Sequence, residues 1–116
     1  MQTIQKTLQV SVTKTADFNS ADVDAPVRAG TAFLDVTAHA GTSPTLDVVI
    51  EEKDETSGKY VEVAAFAQVT ETDGITKVSV SGIQASKLRA RATITGSAGQ
   101  SYTYSVGFSG KEGDEA

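Results

Sequence analysis

The sequence predicts an all-β, antiparallel sandwich, and three observations carry that expectation. Apolar and polar residues alternate one by one in stretch after stretch, turn-forming residues interrupt the alternation about every ten residues, and no segment shows helical periodicity. Ala, Val, Thr, Ser and Gly dominate, while aromatics make up only 6% of the chain. Small and β-branched side chains of this kind suit thin, closely packed sheets.

Residues 4–13 form the first expected strand, with Leu8, Val10 and Val12 on one face and Gln9, Ser11 and Thr13 on the other. Between residues 14 and 30 the pattern dissolves into Asp17, Asn19, Ser20, Asp22, Asp24 and Pro26. Such residues bond their own backbone and favour turns, so this segment reads as a connection with at most a short edge strand. Residues 31–38 align Leu34, Val36 and Ala38 as a strand, and His39-Ala40-Gly41-Thr42-Ser43-Pro44 reads as a loop. Leu46, Val48 and Ile50 restart the alternation. Residues 51–59 form a charged, solvated hairpin tip, and residues 60–70 return through Val61, Val63 and Phe66. The Ala64-Ala65 step interrupts that return and suggests a bulge.

Residues 75–80 form a short strand after Asp73-Gly74, and residues 81–86 turn. The clearest pattern closes the fold: residues 87–95 and 101–109 alternate almost without fault around a glycine-bearing turn, reading as a hairpin. Leu88, Ala90, Ala92 and Ile94 share one face of its first strand, opposite Lys87, Arg89, Arg91, Thr93 and Thr95. Tyr102, Tyr104, Val106 and Phe108 share a face of the second and read as core. The count is seven to eight strands in one domain over residues 1–109, immunoglobulin-like or jelly-roll, followed by a flexible acidic tail at 110–116.

Bulk properties narrow the function. A chain of 116 residues supports one core. It contains no cysteine, which excludes disulfides and thiolate metal sites, and it carries no cofactor-binding motif. A net charge of −5 argues against a nucleic-acid partner, since phosphate binding needs clustered cations. No apolar run is long enough to span a bilayer, and residues 1–12 lack a signal-peptide pattern, so cytoplasmic synthesis without processing is expected.

Candidate sites are few. His39 lies near Asp35 and Ser43 in sequence, an arrangement that evokes a hydrolase triad but lacks a Gly-x-Ser-x-Gly elbow, and one histidine is too little for a zinc site. Asp47, Glu51, Glu52, Asp54 and Glu55 offer oxygens for calcium but match no EF-hand spacing, and Lys53 and Lys59 interleave with them. No catalytic, metal or cofactor residue is therefore assigned. Tyr102 and Tyr104 would serve a carbohydrate-binding module only if exposed. Lys87, Arg89 and Arg91 remain as candidate partner-binding residues, because alternate positions put all three on one sheet face. That stripe is either paired with acids of a neighbouring strand or a docking face for an acidic partner.

The stretch Phe33-Leu34-Asp35-Val36-Thr37-Ala38-His39-Ala40-Gly41-Thr42-Ser43-Pro44-Thr45-Leu46-Asp47-Val48, the turn Lys53-Asp54-Glu55-Thr56-Ser57-Gly58-Lys59-Tyr60, and the strands Lys87-Leu88-Arg89-Ala90-Arg91 and Ser101-Tyr102-Thr103-Tyr104-Ser105-Val106 together span residues 31–109. In these the chain resembles small β-sandwich structural proteins of tailed bacteriophage particles. The resemblance implies a non-enzymatic virion component, made in the host cytoplasm. Its leading form is a capsid decoration protein that binds the outside of the head, with the major capsid protein or another virion protein as partner. Homo-oligomers are implied, trimers first. A tail or head-fibre component is the alternative within the same class.

Overall fold

The computed structural model describes residues 3–111, which form nine strands and no helix. They are β1 (Thr3–Lys14), β2 (Phe18–Asn19), β3 (Val23–Asp24), β4 (Gly30–Thr42), β5 (Thr45–Lys53), β6 (Tyr60–Ala65), β7 (Gly74–Val80), β8 (Lys87–Thr95) and β9 (Ala98–Lys111). One sheet has the order β1-β9-β4-β7 and the other β2-β8-β5-β6, with β3 also on the edge of β8.

These pairings amount to one long antiparallel hairpin rolled on itself. β5 pairs β6 at its tip, β4 pairs β7 next, β2 and β3 pair β8, and β1 pairs β9 at the open end. Rolling then sets β9 beside β4 and β8 beside β5, again antiparallel. With β2 and β3 sharing one position, the result is the eight-place wiring of a jelly roll. It selects between the two sandwich types that alternation alone left open.

The closing strands require a correction. β8 and β9 are not hairpin partners: β9 lies between β1 and β4, whereas β8 lies in the opposite sheet beside β5. Gly96 and Ser97 carry the chain across the core, and the Ser97 N–H donates to the Thr42 carbonyl at 2.9 Å. The two apolar faces therefore meet through the interior. Leu88, Ala90, Ala92 and Ile94 come from one side, and Tyr102, Tyr104, Val106 and Phe108 from the other, all buried. Small residues on β8 leave volume for the rings of β9. Leu34, Val36, Leu46, Val48 and Ile50 complete the layer, and each such burial contributes about 1.5–3 kcal/mol.

Bulges explain most remaining departures from simple alternation. β1 slips register against β9 twice, between Thr7 and Gln9 and between Gln9 and Val12, so Leu8 and Val10 part company. Leu8 is buried while Val10 is 67% exposed. β4 does not end at Ala38 but continues through Thr42, absorbing its glycine with register shifts at Val36/Ala38 and Ala40/Thr42. Only Ser43, at φ 50°, and buried Pro44 remain of the expected loop. In β6 the extra residue is Val63, beside the Ala64-Ala65 step, because Ile50 faces Ala64 whereas Glu51 faces Glu62.

The connection between β1 and β4 is held by side chains acting as strand backbone. The Ser20 N–H donates to the Ala90 carbonyl at 2.9 Å, and Ser20 Oγ accepts from the Ala90 N–H at 2.8 Å. Asp17 Oδ1 accepts from the Ile94 N–H at 3.0 Å. Two very short strands thus suffice to occupy the edge of β8. At the other end, β9 runs through Gly110 and Lys111, two residues into the expected tail, and residues 112–116 lie outside the described residues.

Candidate docking face

Strand alternation places Lys87, Arg89 and Arg91 together on the outer face of the β8-containing sheet, with Glu51 opposite Arg89 in the β5 register. Glu51 is bracketed by two guanidiniums: its Oε1 lies 2.9 Å from Arg89 Nε and its Oε2 3.0 Å from Arg91 Nε. Only 8% of the Glu51 side chain and 17% of the Arg89 side chain reach solvent, against 42% for Arg91. Charged hydrogen bonds of this length are the stronger kind, and poor hydration raises their weight.

The network spreads from there. The Arg89 guanidinium stacks 3.4 Å from the centroid of the Tyr60 ring. The Tyr60 hydroxyl donates to Asp22 Oδ1 at 2.6 Å, and this bond to a carboxylate raises the phenol's pKa. Asp22 also sits 3.6 Å from Lys53 Nζ. Lys87 Nζ donates to Asp24 Oδ1 at 2.6 Å, a bond that holds the Asp24 carboxyl below, and the Lys87 ammonium above, their ordinary ranges. Every cation of the stripe therefore has an acid of its own fold. A partner meeting this face finds Arg91 and Lys87 accessible and Arg89 already enclosed.

The sequence marks Glu51 only as one of the acids offering oxygens for calcium, and it gives Tyr60 and Asp22 no site role. A signal for Glu51 was present: it extends the outward row of Asp47 and Val49 on β5, directly beside the row of cations on β8. The charges that begin there suggest a hairpin tip, yet β5 continues through Lys53.

The other candidates disperse. Asp47, Glu51, Glu52 and Asp54 take separate structural roles. Asp47 accepts from Gln68 Nε2 at 2.9 Å, and Glu52 Oε1 accepts from the N–H groups of Gln84 and Ala85 at 2.9 and 2.7 Å. Asp54 binds the N–H groups of Thr56 and Ser57 and the Ser57 hydroxyl, closing the tip. Among the described residues no group of three or more His, Cys, Asp or Glu is arranged to hold a metal. A 400 Å³ groove at the tip is lined by residues including Glu52, Lys53, Glu55, Val61 and Gln84.

His39 Nδ1 meets Asp73 Oδ1 at 2.7 Å, and neither Asp35 nor Ser43 is hydrogen-bonded to its ring among the described residues. Tyr102 and Tyr104 are fully buried, with the Tyr102 hydroxyl donating to the Val69 carbonyl at 3.3 Å, so they form no sugar-stacking platform. Burial raises the pKa of both, that of Tyr104 to about 12.

No protein-family model and no curated protein matches this chain. A chain in the structure of infectious bursal disease virus, Gx strain, is similar in fold, with a TM-score of 0.58 and 15% sequence identity. The likeness covers 97% of this chain and 32% of the viral one, so this chain spans about a third of its neighbour's length. At that identity the two share a jelly-roll architecture.

Proposed function

We propose that this chain is a non-enzymatic structural component of a virion, and specifically a decoration protein that binds the outer surface of the head through the major capsid protein. One observation carries the reading: a jelly roll matched over nearly its whole length by a chain from a virus structure. The site geometry supports it. The side chains that could have served catalysis are tied into turns, core and ion pairs, and the charged surface is suited to contact rather than chemistry. A protein repeated over a symmetric shell holds on by avidity, so a modest contact per copy suffices. Arg91 and Lys87, the accessible cations of the β8 face, are the residues proposed to meet an acidic patch of the shell.

The test uses shells assembled without this protein by the virus that encodes it. The purified chain should co-sediment with them at saturating stoichiometry and raise the temperature at which they rupture. A chain that stays in the supernatant and is missing from purified particles refutes the proposal.

A further inference from the structure

The outer face of the β1-β9-β4-β7 sheet is built differently from the charged face on the other side of the molecule. Ala32, Leu34 and Val36 of β4 are buried in the core, so Phe33 and Asp35 point outward, and Phe33 is half-buried and stands apart from the core cluster. Register sets Gly107 of β9 on one side of Phe33 and Lys77 of β7 on the other. A Cβ at Gly107 would meet only the Lys6 carbonyl oxygen, at 4.0 Å, so space is open beside the ring on the β9 side. On the β7 side a 420 Å³ groove is walled by Phe33, Ile75, Thr76 and Lys77. Around this centre the face is hydroxylic, with Ser105 and Ser109 flanking Gly107 and Thr31 following Phe33 in the outward row of β4. Every cation of the β8 face has an acid of its own fold. Here, among the described residues, the side chains of Asp35 and Lys77 have no hydrogen-bond or ion-pair partner.

We propose that this face binds a neutral oligosaccharide, with one pyranose ring lying on Phe33 and its hydroxyls held by Asp35 and Lys77. The chemistry of the face selects that occupant. The C–H groups of a pyranose carry a slight positive charge and meet the negative face of an aromatic ring favourably. Neighbouring strands lie about 4.8 Å apart and alternate residues of one strand about 7 Å apart, so Lys77 and Asp35 stand on two sides of the ring, within reach of a sugar stacked there. An ammonium only donates and a carboxylate accepts, so together they serve hydroxyls in both senses. The open space over Gly107, between Ser105 and Ser109, leaves room for the next unit of the chain. One aromatic platform with a few convergent polar groups is the pattern of a small-ligand site. Other occupants lack what they need. A nucleic acid or other polyanion needs clustered cations, and here Lys77 is offset by Asp35. A protein partner draws on a cluster of apolar anchors, and beside this groove only Phe33 and Ile75 offer one. The platform that buried Tyr102 and Tyr104 cannot supply thus lies on the outer side of the same sheet. The proposal does not depend on the virion reading.

Calorimetric titration with the neutral hexasaccharides of β-1,4-linked glucose, N-acetylglucosamine, mannose and xylose, and of α-1,4-linked glucose, tests it. At least one should bind, with amide shift changes centred on β9, β4 and β7 in NMR spectra. Phe33→Ala should weaken that binding about tenfold, whereas Phe33→Tyr, which keeps the ring, should retain it. Gly107→Val, which fills the space beside the ring, should also weaken it. Val61→Ala, at an exposed position of the other sheet, should leave it unchanged. Phe33 lies outside the core cluster, and thermal melts confirm folding of each variant. Silence of all of these sugars, binding of an anionic polymer such as polygalacturonate alone, an affinity indifferent to Phe33→Ala, or sedimentation showing that Phe33 instead joins two copies of the chain overturns the proposal.

Discussion

Replacing Glu51 with alanine tests whether the charged face is a structural network. The carboxylate holds two guanidiniums at 2.9 and 3.0 Å, and one of them, Arg89, is largely enclosed. Removing one partner of a buried ion pair costs about 3–5 kcal/mol, because the remaining charge stays desolvated. The Arg91 contact is half in water and adds at most about 1 kcal/mol. Relaxation of Arg89 toward the surface offsets part of the penalty, which sets the expected loss at about 2–4 kcal/mol. That is a large share of the roughly 5–15 kcal/mol typical of a single domain. Urea denaturation at neutral pH measures it, with the slope m unchanged. Arg89→Ala should cost more than Arg91→Ala, since it also forfeits the Tyr60 contact, worth about 0.5–2 kcal/mol. A Glu51→Ala/Arg89→Ala double-mutant cycle should return a coupling of about 1–3 kcal/mol. A Glu51→Ala loss below about 0.5 kcal/mol, or Arg91→Ala costing as much as Arg89→Ala, would refute the reasoning and return the face to a surface of loosely paired charges.

Two further outcomes follow from backbone space and from pH. Gly41→Ala should destabilise by about 2–4 kcal/mol, because a Cβ would stand 2.6 Å from backbone atoms of Gln100 at a φ of 104°. Gly82→Ala, at φ 71° with open space around it, should cost only about 1 kcal/mol, and equal losses in denaturant would contradict this placement of β4. The Tyr104 hydroxyl, with its pKa pushed up to about 12 by burial, keeps its proton where an unfolded tyrosine releases one near pH 10. The unfolded state then binds fewer protons, so stability falls as pH rises between those values, by up to ~1.4 kcal/mol per pH unit. Tyr104→Phe should lose this component, and a stability difference from the parent that stays constant above about pH 10 would refute it.

The facing of side chains was legible in the sequence, because a strand's pleat is written into consecutive residues. The buried rows of β5, β8 and β9 all fall where alternation places them. Strand partnership was not. An alternating strand after a glycine-bearing turn has the same pattern whether it pairs beside its predecessor or crosses the core to face it. The local difference between those outcomes rests on contacts such as Ser97 N–H to Thr42 O, which joins residues 55 positions apart. For the same reason His39 to Thr42 looked like a loop. The glycine that signalled a turn instead permits close passage against Gln100, and that neighbour is invisible locally.

The charged stripe shows how this limit bears on function. Period-two spacing correctly collected Lys87, Arg89 and Arg91 on one face, but whether a face is available depends on the adjacent strand, which sequence order does not supply. Once β5 is known to lie beside β8, Glu51 falls opposite Arg89 and the stripe becomes largely self-contained. The converse holds at β7. Its composition is unremarkable as a short strand, and only the strand order reveals that nothing in the described fold pairs its outer edge. On the β8 face the internal pairing commits Arg89 to Glu51 and Tyr60 and leaves Arg91 and Lys87, both partly exposed, as the cations a shell would meet.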